Sequence, residues 1–242
     1  MSRPAIVAVA IMVAFPVFAQ DAITTLPQNY TLQFQNEWVK VTRVNYPPHA
    51  KLAAHAHTTL ASAYVYLNDS GPVAFRHVGG GNTVATRPAT IAGAVRLFRG
   101  IDEVHEVENL SALPSQFLRV EFKTDPGDEP RSLRGKFMRE RGESTVFRKV
   151  HFENVQVRLT RLFVPSGQTL DHDGTAPTLL VWTAGPDFGA VSWLPPQQKE
   201  RLTNSGPAPI EALSFEFKTR PAAQSVGPDS CWLGPIRSAT RC

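Results

Sequence analysis

The chain repeats itself, and the repeat limits what it can fold into. Val39-Lys40-Val41-Thr42-Arg43-Val44, followed by Pro47, is matched by Val157-Arg158-Leu159-Thr160-Arg161-Leu162, followed by Pro165. Further on, Glu121-Phe122-Lys123-Thr124-Asp125-Pro126 is matched by Glu216-Phe217-Lys218-Thr219-Arg220-Pro221. Between these anchors Asn109 aligns with Asn204 and Pro114 with Pro209 without a gap. Two copies of one unit, each opening and closing with similar strand-like segments, imply a duplicated β architecture. Composition agrees: 20 Pro and 16 Gly suit many short strands joined by turns, and 42% hydrophobic residues suffice for a sizeable core.

Within the first copy, His55-Ala56-His57 stands on an alternating segment, and His105-Glu106-Val107-Glu108-Asn109 follows about fifty residues later. Side chains at i and i+2 of a strand leave the same face, so His55 and His57 can present two imidazoles to one point. His105 is the candidate third ligand. Three imidazoles suit iron, nickel, zinc or copper and leave positions open for water or substrate.

The segment Pro47-Pro48-His49-Ala50-Lys51-Leu52-Ala53-Ala54-His55-Ala56-His57, with the strand-like Ala63-Tyr64-Val65-Tyr66-Leu67 after it, resembles the first motif of the cupins. Gly93 through His105 to Asn109 resembles the second. The resemblance implies an all-β chain of two jelly-roll, cupin-like β-barrels in tandem, a bicupin. It also implies a divalent metal (Fe, Mn, Ni or Zn) held by His55, His57 and His105. The family places a ligating glutamate four or five residues after the second histidine, where this chain has Ala61 and Ser62. Glu103 shares strand parity with His105 and is the carboxylate that could stand in.

In the second copy the corresponding stretch reads Leu170-Asp171-His172-Asp173-Gly174, and the ungapped alignment sets Glu200 opposite His105. With one histidine and no His-x-His pair, this copy is expected to be structural, a polar turn more than a cation site, with trimmed loops. No Ser-His-Asp or Cys-His arrangement offers another catalytic centre.

Five segments follow. Residues 1–19 read as a signal peptide: Arg3, an apolar run from Ala5 to Val17, and the cleavage-like Val17-Phe18-Ala19. Residues 20–126 form the first barrel, 127–150 a linker in which Ser132 to Arg141 is a candidate short basic helix, 151–221 the degenerate second barrel, and 222–242 a tail. Export to the periplasm or medium would let Cys231 and Cys242 close a small loop, although unpaired thiols remain an alternative. The +4 charge is spread along the chain, with no basic stripe for nucleic acid. The expected partner is a small molecule, with no membrane association after cleavage and a homodimer as an open possibility. Of the remaining residues, Tyr64 and Tyr66 are candidates for pocket or core, His77 for interior or solvent, and His49 and His151 for exposed positions.

Overall fold

In the computed structural model the described residues are 21–79, 83–127, 133–139 and 144–222. The leader, both cysteines and nearly all of the tail lie outside them. A single helical turn, α1 (Ala22–Thr25), precedes seventeen strands. Ten belong to the first half: β1 (Tyr30–Gln35), β2 (Val39–Tyr46), β3 (Lys51–His57), β4 (Ser62–Tyr66), β5 (Val73–His77), β6 (Val84–Arg87), β7 (Val95–Phe98), β8 (Glu103–Asn109), β9 (Ser115–Phe122) and β10 (Arg134–Phe137). Seven follow: β11 (Phe147–Glu153), β12 (Val157–Val164), β13 (Thr169–His172), β14 (Thr178–Ala184), β15 (Val191–Leu194), β16 (Glu200–Thr203) and β17 (Ile210–Phe217). No helix among the described residues is long and apolar enough to cross a membrane.

The two halves share one strand order. The first has a sheet β1-β2-β9-β4-β7-β10 facing a sheet β3-β8-β5-β6; the second has β11-β12-β17-β14-β15 with the pair β13-β16. Each half is therefore a two-sheet jelly roll, and the matched anchors of the sequence are the paired strands β2 with β9 and β12 with β17. The second copy lacks more than loop length. Six residues join β14 to β15, where the first copy inserts the whole β5-β6 hairpin between β4 and β7.

Alternation explains how one sheet serves two cores. On β4, Ala63 and Val65 point to the second half, while Tyr64 and Tyr66 point into the first barrel. Val39, Val41, Leu118, Val120 and Phe122 join Val157, Leu159, Leu179, Val181, Leu213, Phe215 and Phe217 in one core shared by both halves. A sheet covered on both faces is buried at nearly every position, as β4, β9, β12 and β17 are, and the polar side chains they carry, such as Arg119, Glu121, Arg161 and Glu211, are buried with them.

Two expectations are corrected. The described part of the stretch Ser132 to Arg141, residues 133–139, is not a basic helix: Arg134-Gly135-Lys136-Phe137 pairs with β7 as an edge strand, because its alternating residues set Lys136 beside Arg96 and lay Phe137 against the shared core. The first strand after this stretch, β11, starts at Phe147 and pairs with β12. His151 is half-buried rather than exposed, stacked on Phe137 at 5.2 Å and accepting from Arg161. His49 is exposed, in a turn at φ 54°.

Candidate metal centre

A β-bulge builds the site. Register along β3 and β8 shifts between Leu52 and His55, so that both side chains, three residues apart, point into the barrel. The bulge also fixes the histidine's tautomer. His55 Nδ1 lies 2.8 Å from the carbonyl of Ala53, so it carries the proton and donates, leaving Nε2 with its lone pair toward the barrel interior. His57 follows at i+2 on the same face.

Cross-strand register supplies the rest. His55 faces His105 on β8, and His105 faces His77 on β5, giving a row of three imidazoles across three strands. Ring centroids of His55, His57 and His105 lie 4.8–4.9 Å apart pairwise. Their ligand nitrogens converge within 4.8 Å, as do the ligand atoms of a second set, His77, Glu103 and His105. The histidines named from sequence are thus brought together, and His77 resolves to the interior. Glu103 packs beside the other face of His105, with Oε2 3.7 Å from the Nδ1 atoms of both His105 and His77. It does not join the His55–His57 set as a stand-in ligand; it is placed to orient His105 from behind, as carboxylates behind ligating histidines do.

The electrostatics favour neutral imidazole, the form that ligates metal. Burial pushes His55 down to about 4, partly countered by its bond to Ala53. Burial, with help from the nearby Arg119 cation, pushes His57 further down. Burial opposes ionisation of Glu103, but His105, Arg119 and His77 outweigh it and hold the carboxyl below its usual value.

Two observations test the fit of a metal. Both ring nitrogens of His105 are buried without a hydrogen-bond partner, a costly state that a cation on one nitrogen and Glu103 on the other would relieve. Against this, the hydroxyl of Tyr30, itself bonded to Tyr46 at 2.9 Å, sits 2.8 Å from His55 Nε2 and satisfies the lone pair a metal would use. The donor set fits a transition metal once that hydroxyl yields. Tyr30 lies twenty-five residues before His55 and carried no sequence signal of this role.

Above the histidines opens a cavity of about 570 Å³, whose walls include Tyr64, Tyr66, Phe75, Phe98 and Phe117. Both candidate tyrosines of β4 therefore line the pocket.

The second barrel shows why its copy of the site is gone. His172 pairs with Glu200 across β13 and β16, as His55 pairs with His105. The next ligand position is Gly174, at φ +62°, where an added Cβ would lie 1.8 Å from the carbonyl oxygen of Gln198. Asp171 is exposed and bound to Arg201, and Asp173 points to solvent near Arg148, so neither converges on His172. Among the described residues the convergent clusters are the two around His105.

No family model and no curated protein matches the sequence. Similarity to solved structures is extensive. A vicilin from Solanum melongena aligns over 75% of this chain and 74% of its own at 10% identity and TM-score 0.52. A variant of Bacillus subtilis oxalate decarboxylase aligns over 83% and 72% at 13% identity and TM-score 0.50. A cupin domain from Bordetella pertussis Tohama I aligns over 39% of this chain and 91% of its own, at 26% identity and TM-score 0.33. With two jelly rolls in tandem and one shared strand order, the chain has the fold of a bicupin of the cupin superfamily.

Proposed function

We propose that the first barrel holds one divalent transition metal at His55, His57 and His105 and uses it on a small molecule in the cavity above, as an oxygenase or an isomerase. The observation that carries this is His105, buried with both ring nitrogens unpartnered among the imidazoles of His55 and His57 and the carboxylate of Glu103. Such a metal would act as Lewis acid or oxygen-activating centre. The chain's residues supply the rest: the Ala53 carbonyl fixes the His55 tautomer, Glu103 offers a carboxylate 3.7 Å from His105 Nδ1, and aromatic side chains wall the cavity. The N-terminal pattern around Arg3 and Val17-Phe18-Ala19 supports the reading of an exported protein.

The Tyr30 hydroxyl on His55 Nε2 favours a second reading, a metal-free barrel that binds a small ligand. Metal content of the mature protein by mass spectrometry separates the two. About one metal per chain, lost in His57→Ala and kept in His172→Ala, supports the centre in the first barrel. A folded, metal-free protein after growth in metal-replete medium leaves the binding barrel.

A further inference from the structure

Opposite the histidine row, the inner face of the six-stranded sheet carries a row of a different kind. Register places Lys136, Arg96, Tyr64 and Arg119 side by side across β10, β7, β4 and β9. The guanidinium carbons of Arg96 and Arg119 lie 5.9 and 5.8 Å from the centre of the Tyr64 ring. Arg119 is 5% exposed, and its Nε has no hydrogen-bond partner. Its one ion pair, to Glu121 at 3.3 Å, is shared, because Glu121 also accepts from Thr58 and faces Lys40 at 3.9 Å. Another cation of the cavity, Arg87, is occupied by Ser70, Thr90 and Ser115.

An apolar, aromatic chamber lined by several cations and, in Glu103, one carboxylate is not neutral ground. A buried guanidinium with an idle donor is a built site for an anionic oxygen, since arginine binds carboxylate through directed, charge-assisted bonds. Resting on the reading that this cavity is the functional site, we infer that the ligand is an organic anion with an aromatic or otherwise apolar body. Its carboxylate-like group is held at Arg119 and Arg96, and its body reaches toward His57 and His105. Lys136 and Arg134 of β10 stand exposed at the rim, where they would draw anions in.

The probe is 2-naphthoate, set against the neutral 2-naphthamide of nearly the same shape, titrated by calorimetry into the full mature chain before and after chelator treatment. Chelator-treated protein should bind one naphthoate per chain at least tenfold more tightly than the amide. Arg119→Met should lose about tenfold or more of that affinity, Arg119→Lys should regain part of it, and Arg96→Met should lose several-fold. Equal affinity for acid and amide, no binding of either, or full naphthoate affinity in a folded Arg119→Met protein overturns the inference. If Arg119→Met does not fold, the half-exposed Arg96→Met decides, and unchanged affinity there overturns it too. Metal content is measured separately: a metal-free protein that binds naphthoate through Arg119 refutes the metal centre alone, and a metal-loaded protein indifferent to the charge refutes this inference alone.

Discussion

The guanidinium of Arg161 donates to the backbone carbonyl of Gly93 across the boundary between the two barrels, at 2.8 Å. Arg43, its counterpart in the repeat, donates to Gly189, the counterpart of Gly93. The supporting contacts also correspond, Gln33 beside Arg43 and His151 beside Arg161. This reciprocity is the pattern of a twofold interface. The copies differ in charge, because Arg161 also meets Glu211, which is 1% exposed and shared with Arg139.

Arg161→Met should therefore cost more than Arg43→Met. Removing Arg161 leaves the buried Glu211 with only the more exposed Arg139 as counter-charge and should cost about 3 kcal/mol, whereas Arg43 has neutral partners and should cost about 1–2 kcal/mol. In thermal denaturation the first variant should melt roughly 10 °C lower. Combining it with Glu211→Leu should restore most of the loss. A melting point for Arg161→Met within a degree of wild type would refute the assignment.

Asn109 and Asn204 should be the costliest polar residues of their loops. The Asn109 amide donates toward the carbonyls of Tyr46, Pro47 and Leu113 and its oxygen accepts from Ser111; Asn204 repeats this with Val164, Ala208 and Gly206. Replacing either with Ala orphans buried backbone groups and should lower stability by about 2–3 kcal/mol in urea titrations. Asp should be no better, having no amide donor.

Tyr30→Phe should have two opposite effects. Loss of the hydroxyl leaves Tyr46 short of a partner and should cost about 1–2 kcal/mol of stability. It also frees His55 Nε2, so zinc affinity in competition with a chromophoric chelator should rise several-fold. Weaker zinc binding would mean that the phenol assists the metal and does not compete with it.

Stability of the chelator-treated protein should fall on acidification. His55 titrates near 4 in the folded chain and near 6.5 when unfolded, so between those values the unfolded state holds more protons and stability rises with pH. The contribution is complete above about 6.5 and is lost as pH drops toward 4, on the order of 3 kcal/mol. His57, shifted the same way, adds to the slope. Replacing both with Gln should flatten the slope measured by urea titration at several pH values.

Much of this was legible in the sequence. Val39 to Val44 and Val157 to Leu162 marked matching strands because their spacing from the next proline is the same, and His55, His57 and His105 meet as strand parity requires. What escaped depends on long-range register. The bulge at Ala53-Ala54 follows from pairing with β8, and the partnership of His77 with His105 follows from the β5–β8 pairing. Arg119, between Leu118 and Val120, reads as an ordinary strand charge paired with Glu121 until the facing sheet shows where it points. Strand β10, four residues long with Gly135 in its middle, becomes a strand through pairing with the edge of β7.

Gly174 gives the duplication a direction. A side chain there would strike the Gln198 carbonyl, so the second barrel could not gain a second histidine at this position by point mutation without rebuilding a neighbouring turn. Two free subunits would each have to keep a working pocket. Joined in one polypeptide, the half without the histidine pair still packs as a wall against the half that has it, and Gly174 makes that asymmetry difficult to erase.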